Sequence, residues 1–155
     1  QSVSSSTGEL TLDYGKGLLT LNAVSAQGAS GDLKAGGVIQ LGDISIQSDL
    51  DNAHIVIVAL DGQPISRSRS LLLQAMSEEK PTGFATEDEG GGVKRITRIG
   101  RNPFQVRALH GRVTSSGLGV LQIQPLDLNG YPKGPAYSAA ELDLLPHTNY
   151  YHLSR

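Results

Sequence analysis

The sequence predicts an all-β fold, specifically an antiparallel β-sandwich of the jelly-roll or fibronectin-like type. Its 155 residues include 19 glycines distributed between short apolar stretches, a composition typical of short strands joined by many turns. Several stretches alternate apolar and polar residues with a period of two, which indicates half-buried strands. About ten such stretches, spaced by roughly 8–12 residues, favour a sandwich or a barrel, and no long helical pattern competes with them.

The first half of the chain is expected to form a hairpin and three further strands. Residues 8–22 ("GELTLDYGKGLLTLN") alternate leucine with polar residues on both sides of a Tyr-Gly-Lys-Gly turn. The small residues of 23–37 indicate a loop with few packing anchors. Strand is predicted on either side of Gly42 and Asp43, which could form a bulge or a tight bend. The β-branched run 53–60 ("AHIVIVAL") predicts a central strand covered on both faces.

The second half continues the same pattern of short strands and turns. We favour a strand over a helix for residues 69–76 ("RSLLLQAM"), because Asp61, Gly62 and Pro64 set up a short reversal before it. Residues 81–92 ("PTGFATEDEGGG") are expected to form an acidic and then glycine-rich loop. The remaining predicted strands are "VKRITRIG", "FQVRALHGRVT", "VLQIQPLDL", "YSAAELDLLP" and "NYYHL".

Length and composition favour one β-sandwich domain over residues 8–155, preceded by a linker stub at residues 1–7. The chain has no cysteine, which excludes a disulfide framework, a zinc-thiolate site and a cysteine nucleophile. A net charge of −2 and a pI near 6.1 give no excess of positive charge. We therefore expect neither nucleic acid nor a membrane as a partner.

Two acidic segments are candidates for a structural calcium ion. Asp49 and Asp51 could offer carboxylate and carbonyl oxygens to a hard cation, and Glu87, Asp88 and Glu89 stand side by side. The alternatives are a plain turn at the first segment and a solvated acidic loop at the second. Neither segment has the fixed spacing of an EF-hand loop.

Catalytic motifs are not evident, so we expect a non-enzyme. The chain has no G-x-S-x-G elbow, although spacing alone leaves open a Ser-His-Asp triad assembled in space. The two carboxylates of a glycosidase would need a cleft that the sequence does not indicate. The histidines do not pair at metal-ligand spacing, and His54 is predicted to be structural.

Basic residues are concentrated in two segments of the sequence. Arg67 and Arg69 of "SRSRS" would share one face of a charged edge strand. A denser basic zone could bind the carboxylate of a uronate, or could be a solvated face that balances the acidic loop. This zone comprises Lys94, Arg95, Arg98, Arg101 and Arg107.

Aromatic residues are few, and tryptophan is absent. Tyr14 and Tyr131 fall in turns, where exposure is expected, and Asn129-Gly130 beside Tyr131 predicts a type I′ turn. Adjacent Tyr150 and Tyr151 should point to opposite faces of one strand, so that one is buried. Phe104 is expected to anchor a strand start in the core.

Several segments together resemble a known family. They are "TLNAVSAQGASGDL", "ALDGQPISRSRSLLLQAM", "IGRNPFQVRALHGRV" and "LQIQPLDLNGYPKG", closed by "NYYHL". Across about residues 8–153 the chain resembles a β-sandwich accessory domain, similar to carbohydrate-binding modules, near the C-terminus of large bacterial glycoside-hydrolase-type proteins. The resemblance implies a secreted, non-catalytic module joined to a catalytic domain in the same chain. It would either bind polysaccharide or brace its parent enzyme.

The main functional hypothesis is a carbohydrate-binding module of a polysaccharide-degrading enzyme. Sugar rings would stack on exposed tyrosines, with hydrogen bonds from asparagine, glutamine and arginine. The predicted contact residues are Tyr14, Tyr131, Tyr137, Arg101 and Asn102. The first alternative is a structural β-sandwich that packs on its parent glycoside hydrolase and binds no sugar, and a weaker one is a free-standing enzyme.

Overall fold

The computed structural model describes residues 1–115 and 119–155 and confirms the all-β class. Strands make up 54% of the chain and helix 3%, and the sheets are antiparallel, consistent with a β-sandwich. The chain divides into two compact units. The sandwich unit comprises Gln1–Met76 with Leu109–Arg155, and the insertion unit comprises Ser77–Ala108. No helix among the described residues is long and apolar enough to cross a membrane.

The described residues form more and shorter strands than the sequence predicts. Up to the insertion they are β1 (Ser2–Ser4), β2 (Leu10–Asp13), β3 (Leu18–Asn22), β4 (Ala26–Gly31), the helix α1 (Leu33–Gly36), β5 (Val38–Gln40), β6 (Ser45–Gln47), β7 (Ala53–Ala59) and β8 (Ser70–Ser77). The insertion holds β9 (Glu79–Thr82), β10 (Ala85–Gly90), β11 (Val93–Arg98) and β12 (Arg101–Val106). The last strands are β13 (Arg112–Thr114), β14 (Leu121–Leu126), β15 (Tyr137–Ala139), β16 (Glu141–Asp143) and β17 (Tyr150–Ser154).

Two sheets make up the sandwich unit. The larger has nine strands in the order β1-β2-β3-β4-β7-β8-β17-β14-β15, and the smaller has four in the order β16-β13-β6-β5. The chain passes between them: β5 and β6 of the small sheet follow β4 and precede β7 of the large one, and β16 lies between β15 and β17 of the large one in sequence. Apolar side chains from both sheets form a single buried cluster. This cluster includes Ile39, Ile46, Val113, Leu142, Ile55, Ile57, Leu71, Leu73, Ile123 and Leu153.

Strand β7 lies fifth of the nine strands, so its predicted central position is confirmed. Burial alternates along it: Ala53, Ile55 and Ile57 are buried, whereas His54 is exposed and Val56 is half-buried. The prediction that both faces are covered is therefore wrong. Antiparallel sheets commonly pack one face on the core and leave the other near solvent, and β7 follows that pattern.

Residues 23–37 are not a loop, as the sequence predicts, but contain β4 and α1. β4 pairs with β3 on one side and β7 on the other. The Asp32 side chain caps α1 by accepting a hydrogen bond from the Ala35 backbone N at 2.8 Å. A Cβ on Gly28 would lie 2.5 Å from the Ile55 carbonyl oxygen. The small residues thus reflect close strand contact rather than the absence of packing.

Two other segments of the sandwich unit differ from their predicted form. Residues 1–7, expected as a linker stub, contribute β1, which pairs with β2. The "SRSRS" segment does not form an edge strand but a turn, in which the backbone N of Ser68 donates to the Pro64 carbonyl at 2.8 Å. Ser68 is buried there, whereas Arg67 and Arg69 are exposed.

The C-terminal strand β17 confirms the prediction that Tyr150 and Tyr151 point to opposite faces. Tyr151 is fully buried and Tyr150 is half-buried. The backbone N of Leu145 donates to the Tyr151 hydroxyl oxygen at 2.8 Å, which satisfies this polar group inside the core. Burial raises the pKa of Tyr151 to about 12, so the hydroxyl stays neutral over the physiological pH range.

The insertion unit consists of two small antiparallel sheets, β10-β11 and β12-β9. Residues 81–92 are therefore largely strand and not the predicted acidic loop. Arg95 of β11 holds Glu87 and Glu89 of β10 at 2.8 and 3.0 Å, which explains why these carboxylates can share a strand face. Phe104 is 55% exposed, so its predicted role as a core anchor is wrong. Every residue of this unit is exposed or half-buried.

Candidate functional site

The turn that carries Tyr131 is built around one carboxylate. Asp127 Oδ1 accepts hydrogen bonds from the backbone N of Asn129 at 2.8 Å and of Tyr131 at 2.9 Å. The Gly130 backbone N donates to the Asp127 carbonyl at 3.1 Å. Gly130 has a φ of 84°, but no described residue other than glycine has a positive φ. The predicted type I′ turn is wrong, because that turn needs positive φ at both Asn129 and Gly130, and Asn129 does not have it.

Tyr131 and Tyr137 lie along the same edge of the nine-stranded sheet. Tyr131 is 69% exposed in the connection between β14 and β15, and Tyr137 is 38% exposed at the start of β15. A bridge joins Leu126 to Pro132, and Ile123 pairs with Tyr137. These two pairs lie three residues apart on β14, or about 10 Å along the strand. This edge therefore offers two aromatic surfaces to a ligand.

Tyr14 lies on a different surface from the other two tyrosines. It is 61% exposed in the turn between β2 and β3. β2 is second in the nine-stranded sheet, whereas β15 is last. Seven strand spacings separate them, on the order of 30 Å along the sheet. One short sugar chain cannot stack on Tyr14 and Tyr137 together.

Arg101 and Asn102 belong to the insertion unit. Arg101 begins β12 and lines a cleft of about 630 Å³. Asn102 is also exposed, and its peptide bond to Pro103 is cis. The five predicted contact residues thus fall into three groups: the Tyr131–Tyr137 edge, the Tyr14 turn, and the start of β12, where Arg101 lines the cleft and Asn102 does not.

The predicted calcium residues Asp49 and Asp51 lie in exposed positions before β7. Asp49 Oδ1 lies 3.9 Å from Nδ1 of His110, and Asp51 is exposed in the loop before β7. Over residues 1–115 and 119–155, no three His, Asp or Glu side chains form a group that could hold a metal ion. The calcium site remains a prediction.

A polar groove that sequence reasoning missed lies on the outer face of the four-stranded sheet. Its volume is about 480 Å³. Gln47 of β6, Arg112 of β13 and Asp143 of β16 are cross-strand partners in one row, and all three are exposed. Their neighbours Ile46, Val113 and Leu142 point to the core. The complete lining is Lys34, Gly37, Gln47, Ser48, Asp49, His110, Gly111, Arg112 and Asp143.

Arg112 is fixed at the centre of this groove by two acids. Its Nε donates to Asp143 Oδ1 at 2.7 Å, and its Nη1 donates to Glu141 Oε2 at 2.9 Å. The hydrogen bond to Asp143 raises the pKa of Arg112. Because the two acids more than offset the guanidinium charge, Arg112 offers no free positive charge to an acidic ligand, and the groove suits a neutral ligand that hydrogen-bonds to planar polar groups.

The backbone beneath the groove is closely packed. A Cβ added to Gly111, whose φ is 150°, would lie 2.7 Å from the Gln47 carbonyl oxygen. The Ser48 hydroxyl donates to the His110 carbonyl, and the Leu50 backbone N donates to Ser48 Oγ at 3.2 Å. These bonds fix the loops that carry Asp49 and His110, so the groove is largely preformed.

The sequence gives little sign of this groove. Gln47, Arg112 and Asp143 lie far apart in the chain, and each occupies the polar position of an alternating strand. Such positions are ordinarily solvated. Only the pairing of β6, β13 and β16 places them in one row, and that pairing depends on contacts that are distant in sequence.

Two serines lie within hydrogen-bond distance of a histidine, which is the first requirement of a Ser-His-Asp triad. Ser30 Oγ lies 2.7 Å from Nδ1 of His54, and Ser70 Oγ lies 2.9 Å from Nε2 of His152. Both pairs join adjacent strands of the large sheet. Within the part of the chain that the structure describes, neither imidazole has a carboxylate partner to orient it. The described pairs therefore lack the third member of a triad.

No known protein family, curated protein or solved structure matches this chain.

Proposed function

We propose that this chain is a non-catalytic, secreted module that binds polysaccharide on behalf of a catalytic domain in the same bacterial protein. The observation that carries the proposal is the preformed groove around Gln47, Arg112 and Asp143. Its volume of about 480 Å³ falls in the range common for ligand sites, roughly 300–1,000 Å³. Tethering such a module to an enzyme raises the effective concentration of substrate at the catalytic domain.

The chemistry of the groove supports a hydroxylated, neutral ligand. The Gln47 amide can exchange two hydrogen bonds with neighbouring hydroxyls of a sugar ring, and the paired Arg112 and Asp143 keep N–H groups and oxygen lone pairs that they do not use on each other. Exposed Tyr131 and Tyr137 offer a second surface, on which the apolar face of a sugar can stack. The groove supplies polar contacts without an aromatic wall, so we expect weak binding that depends on a polymer with repeated units.

The test is affinity electrophoresis of the 155-residue chain in gels containing soluble polysaccharides. The panel comprises cellulose derivatives, xylan, mannan, β-glucan and pectin. Gln47→Ala should weaken binding by about three- to tenfold, the size of one or two lost hydrogen bonds. Gln122→Ala is the matched control, because Gln122 is an exposed strand glutamine on the other sheet and lines no described groove.

Tyr131→Ala and Tyr137→Ala separate the groove from the aromatic edge. Weakening by the tyrosine variants but not by Gln47→Ala would move the sugar site to the β14–β15 edge. Absence of retardation by every polysaccharide in the panel would contradict the proposed function as a whole.

The second candidate function is a structural module that packs on its parent enzyme without binding sugar. Apolar side chains that are more than half exposed on the insertion unit favour it. They are Val93, Ile96, Ile99, Phe104 and Val106. Under this alternative, Phe104→Ser should reduce retention on a phenyl matrix and leave the melting temperature unchanged, while no polysaccharide retards the chain.

A further inference from the structure

We propose that the cleft of the insertion unit is a second site, which binds the carboxylates of an acidic polysaccharide. This inference rests on the proposed function for its ligand class, but it uses different residues from the polar groove. The lining comprises Thr82, Gly83, Thr97, Arg98, Ile99, Gly100 and Arg101. All of these residues lie in the insertion unit.

The cleft is built by two turns held close together. Thr82 pairs with Arg101 where β9 meets β12, and the Phe84 backbone N donates to the Pro81 carbonyl at 3.0 Å. A Cβ on Gly100 would lie 2.8 Å from both the Phe84 backbone N and the Thr82 carbonyl oxygen. The turns thus pack backbone against backbone, which fixes the positions from which Arg98 and Arg101 extend.

The charge of the cleft is positive and uncompensated. Of the described residues that line it, Arg98 and Arg101 are the only charged ones. Among the described residues neither has an ion pair or a side-chain hydrogen bond, whereas Arg95 nearby in sequence is held by Glu87 and Glu89. Because the whole chain has a net charge of −2, this positive cleft is a local feature and not a consequence of overall charge.

The hydrogen-bond donors that remain free in the cleft favour a ligand that carries hydrogen-bond acceptors. Thr82 Oγ1 donates to the Pro103 carbonyl at 2.6 Å, and Thr97 Oγ1 donates to the Ala85 carbonyl at 3.2 Å. The side-chain donors left for a ligand are therefore the two guanidiniums. Guanidinium matches carboxylate with two parallel hydrogen bonds, which an uncharged hydroxyl cannot equal.

The exposed position of the cleft favours a polymer over a single acid. Ion pairs in solvent are individually weak, so repeated carboxylates are needed to engage Arg98 and Arg101 together. Ile99 stands between them and is 78% exposed. Its side chain provides an apolar surface for the ring face of a uronate residue whose carboxylate reaches a guanidinium.

Polygalacturonate and its fully methyl-esterified form test the proposal, since they share one backbone and differ in charge. In affinity electrophoresis at low ionic strength, polygalacturonate should retard the 155-residue chain, and the neutral ester should do so much less. Arg98→Gln and Arg101→Gln should each weaken binding to polygalacturonate by about three- to tenfold. Rising salt should weaken it further.

Lys94→Gln is the matched control, because it removes the same charge from β11 but lies outside the cleft. An equal effect of Lys94→Gln, or equal retardation by the methyl ester, would overturn the cleft assignment. Equal binding to dextran sulfate would contradict a carboxylate site in favour of general polyanion binding. If neutral polysaccharides bind through the groove while polygalacturonate does not, this inference fails and the proposed function stands.

Discussion

At the scale of single residues, aspartates at the ends of strands organise the turns of this protein. Asp13 Oδ1 accepts from the Gly15 backbone N at 2.9 Å, and Asp127 does the same for Asn129 and Tyr131. Asp61 spans a wider loop, since its two oxygens accept from the backbone N of Gln63 and of Arg69. In each of these three turns a leucine precedes the aspartate, and the aspartate carboxylate fixes the turn more than an Asn-Gly or Asp-Gly pair does.

The Asp61 carboxylate gives a prediction about pH. The hydrogen bond from the Arg69 backbone N lowers the pKa of Asp61 below its ordinary value of 3.8. Its contribution to stability is therefore present above pH 3.8 and is lost as the pH falls through the lower folded-state value. Asp61→Ala should reduce the melting temperature at pH 7 by about 2–4 °C, the size of a lost cap in a domain of this length.

The gap in melting temperature between Asp61→Ala and the parent chain should narrow at acid pH. Thermal melts followed by circular dichroism between pH 7 and pH 3 measure it. Glu9→Ala is the control, because Glu9 is an exposed carboxylate that forms no described ion pair. A gap that is the same at both pH values would contradict the assigned role of the Asp61 carboxylate.

At the scale of secondary-structure elements, β4 shows how small residues serve strand packing. It lies between β3 and β7, and its residues Gln27 and Ala29 are almost fully buried. The Gln27 amide exchanges hydrogen bonds with the Asp43 side chain and backbone N, each at 2.9 Å. β4 thereby ties the large sheet to the bend between β5 and β6. Gly28 leaves room for the β7 backbone.

Gly28→Ala should therefore destabilise the fold. The new Cβ would lie within 3 Å of the Ile55 carbonyl oxygen and of Val56, which are backbone or packed positions that cannot easily move. We expect a loss of about 1–3 kcal/mol in the free energy of unfolding, measured by urea denaturation. Gly15→Ala is the control, because the nearest atom to its Cβ would be the Asp13 carboxylate at 3.4 Å. Equal stability of the two variants would show that β4 has more room than its geometry indicates.

Elements with strong alternation could be predicted from the sequence, whereas those defined by distant contacts could not. Leucines at β2 and β3 and isoleucines at β7 mark strands through local pattern alone. β4 has no large apolar residue, so its pattern resembles a loop. β10 carries adjacent acids that Arg95 stabilises from the partner strand. The polar groove depends in the same way on which strands pair. For the predicted site residues, local pattern predicted only that the tyrosines are exposed.

At the scale of the whole molecule, the buried apolar residues of the described chain are confined to one of its two units. All residues of the buried apolar cluster lie in the sandwich unit. The insertion unit contributes none and presents its charged and apolar side chains to solvent. The sandwich unit thus contains the groups that stabilise the fold through removal of apolar surface from water, and we expect it to fold without the insertion.

Excision of residues 79–106 tests this division. Glu78 and Arg107 meet at the base of the insertion, where the Arg107 backbone N donates to the Glu78 carbonyl at 2.9 Å. An Asn-Gly pair can therefore join them as a tight turn. The shortened chain should keep a cooperative thermal transition within a few degrees of the parent, bind neutral polysaccharide through the groove and lose its binding to polygalacturonate.

A second variant, with six Gly and Ser residues at the junction, separates strain in the tight turn from a true need for the insertion. If both variants fail to unfold cooperatively, the insertion supplies stability that its lack of buried residues does not suggest, and the sandwich unit is not an independent fold.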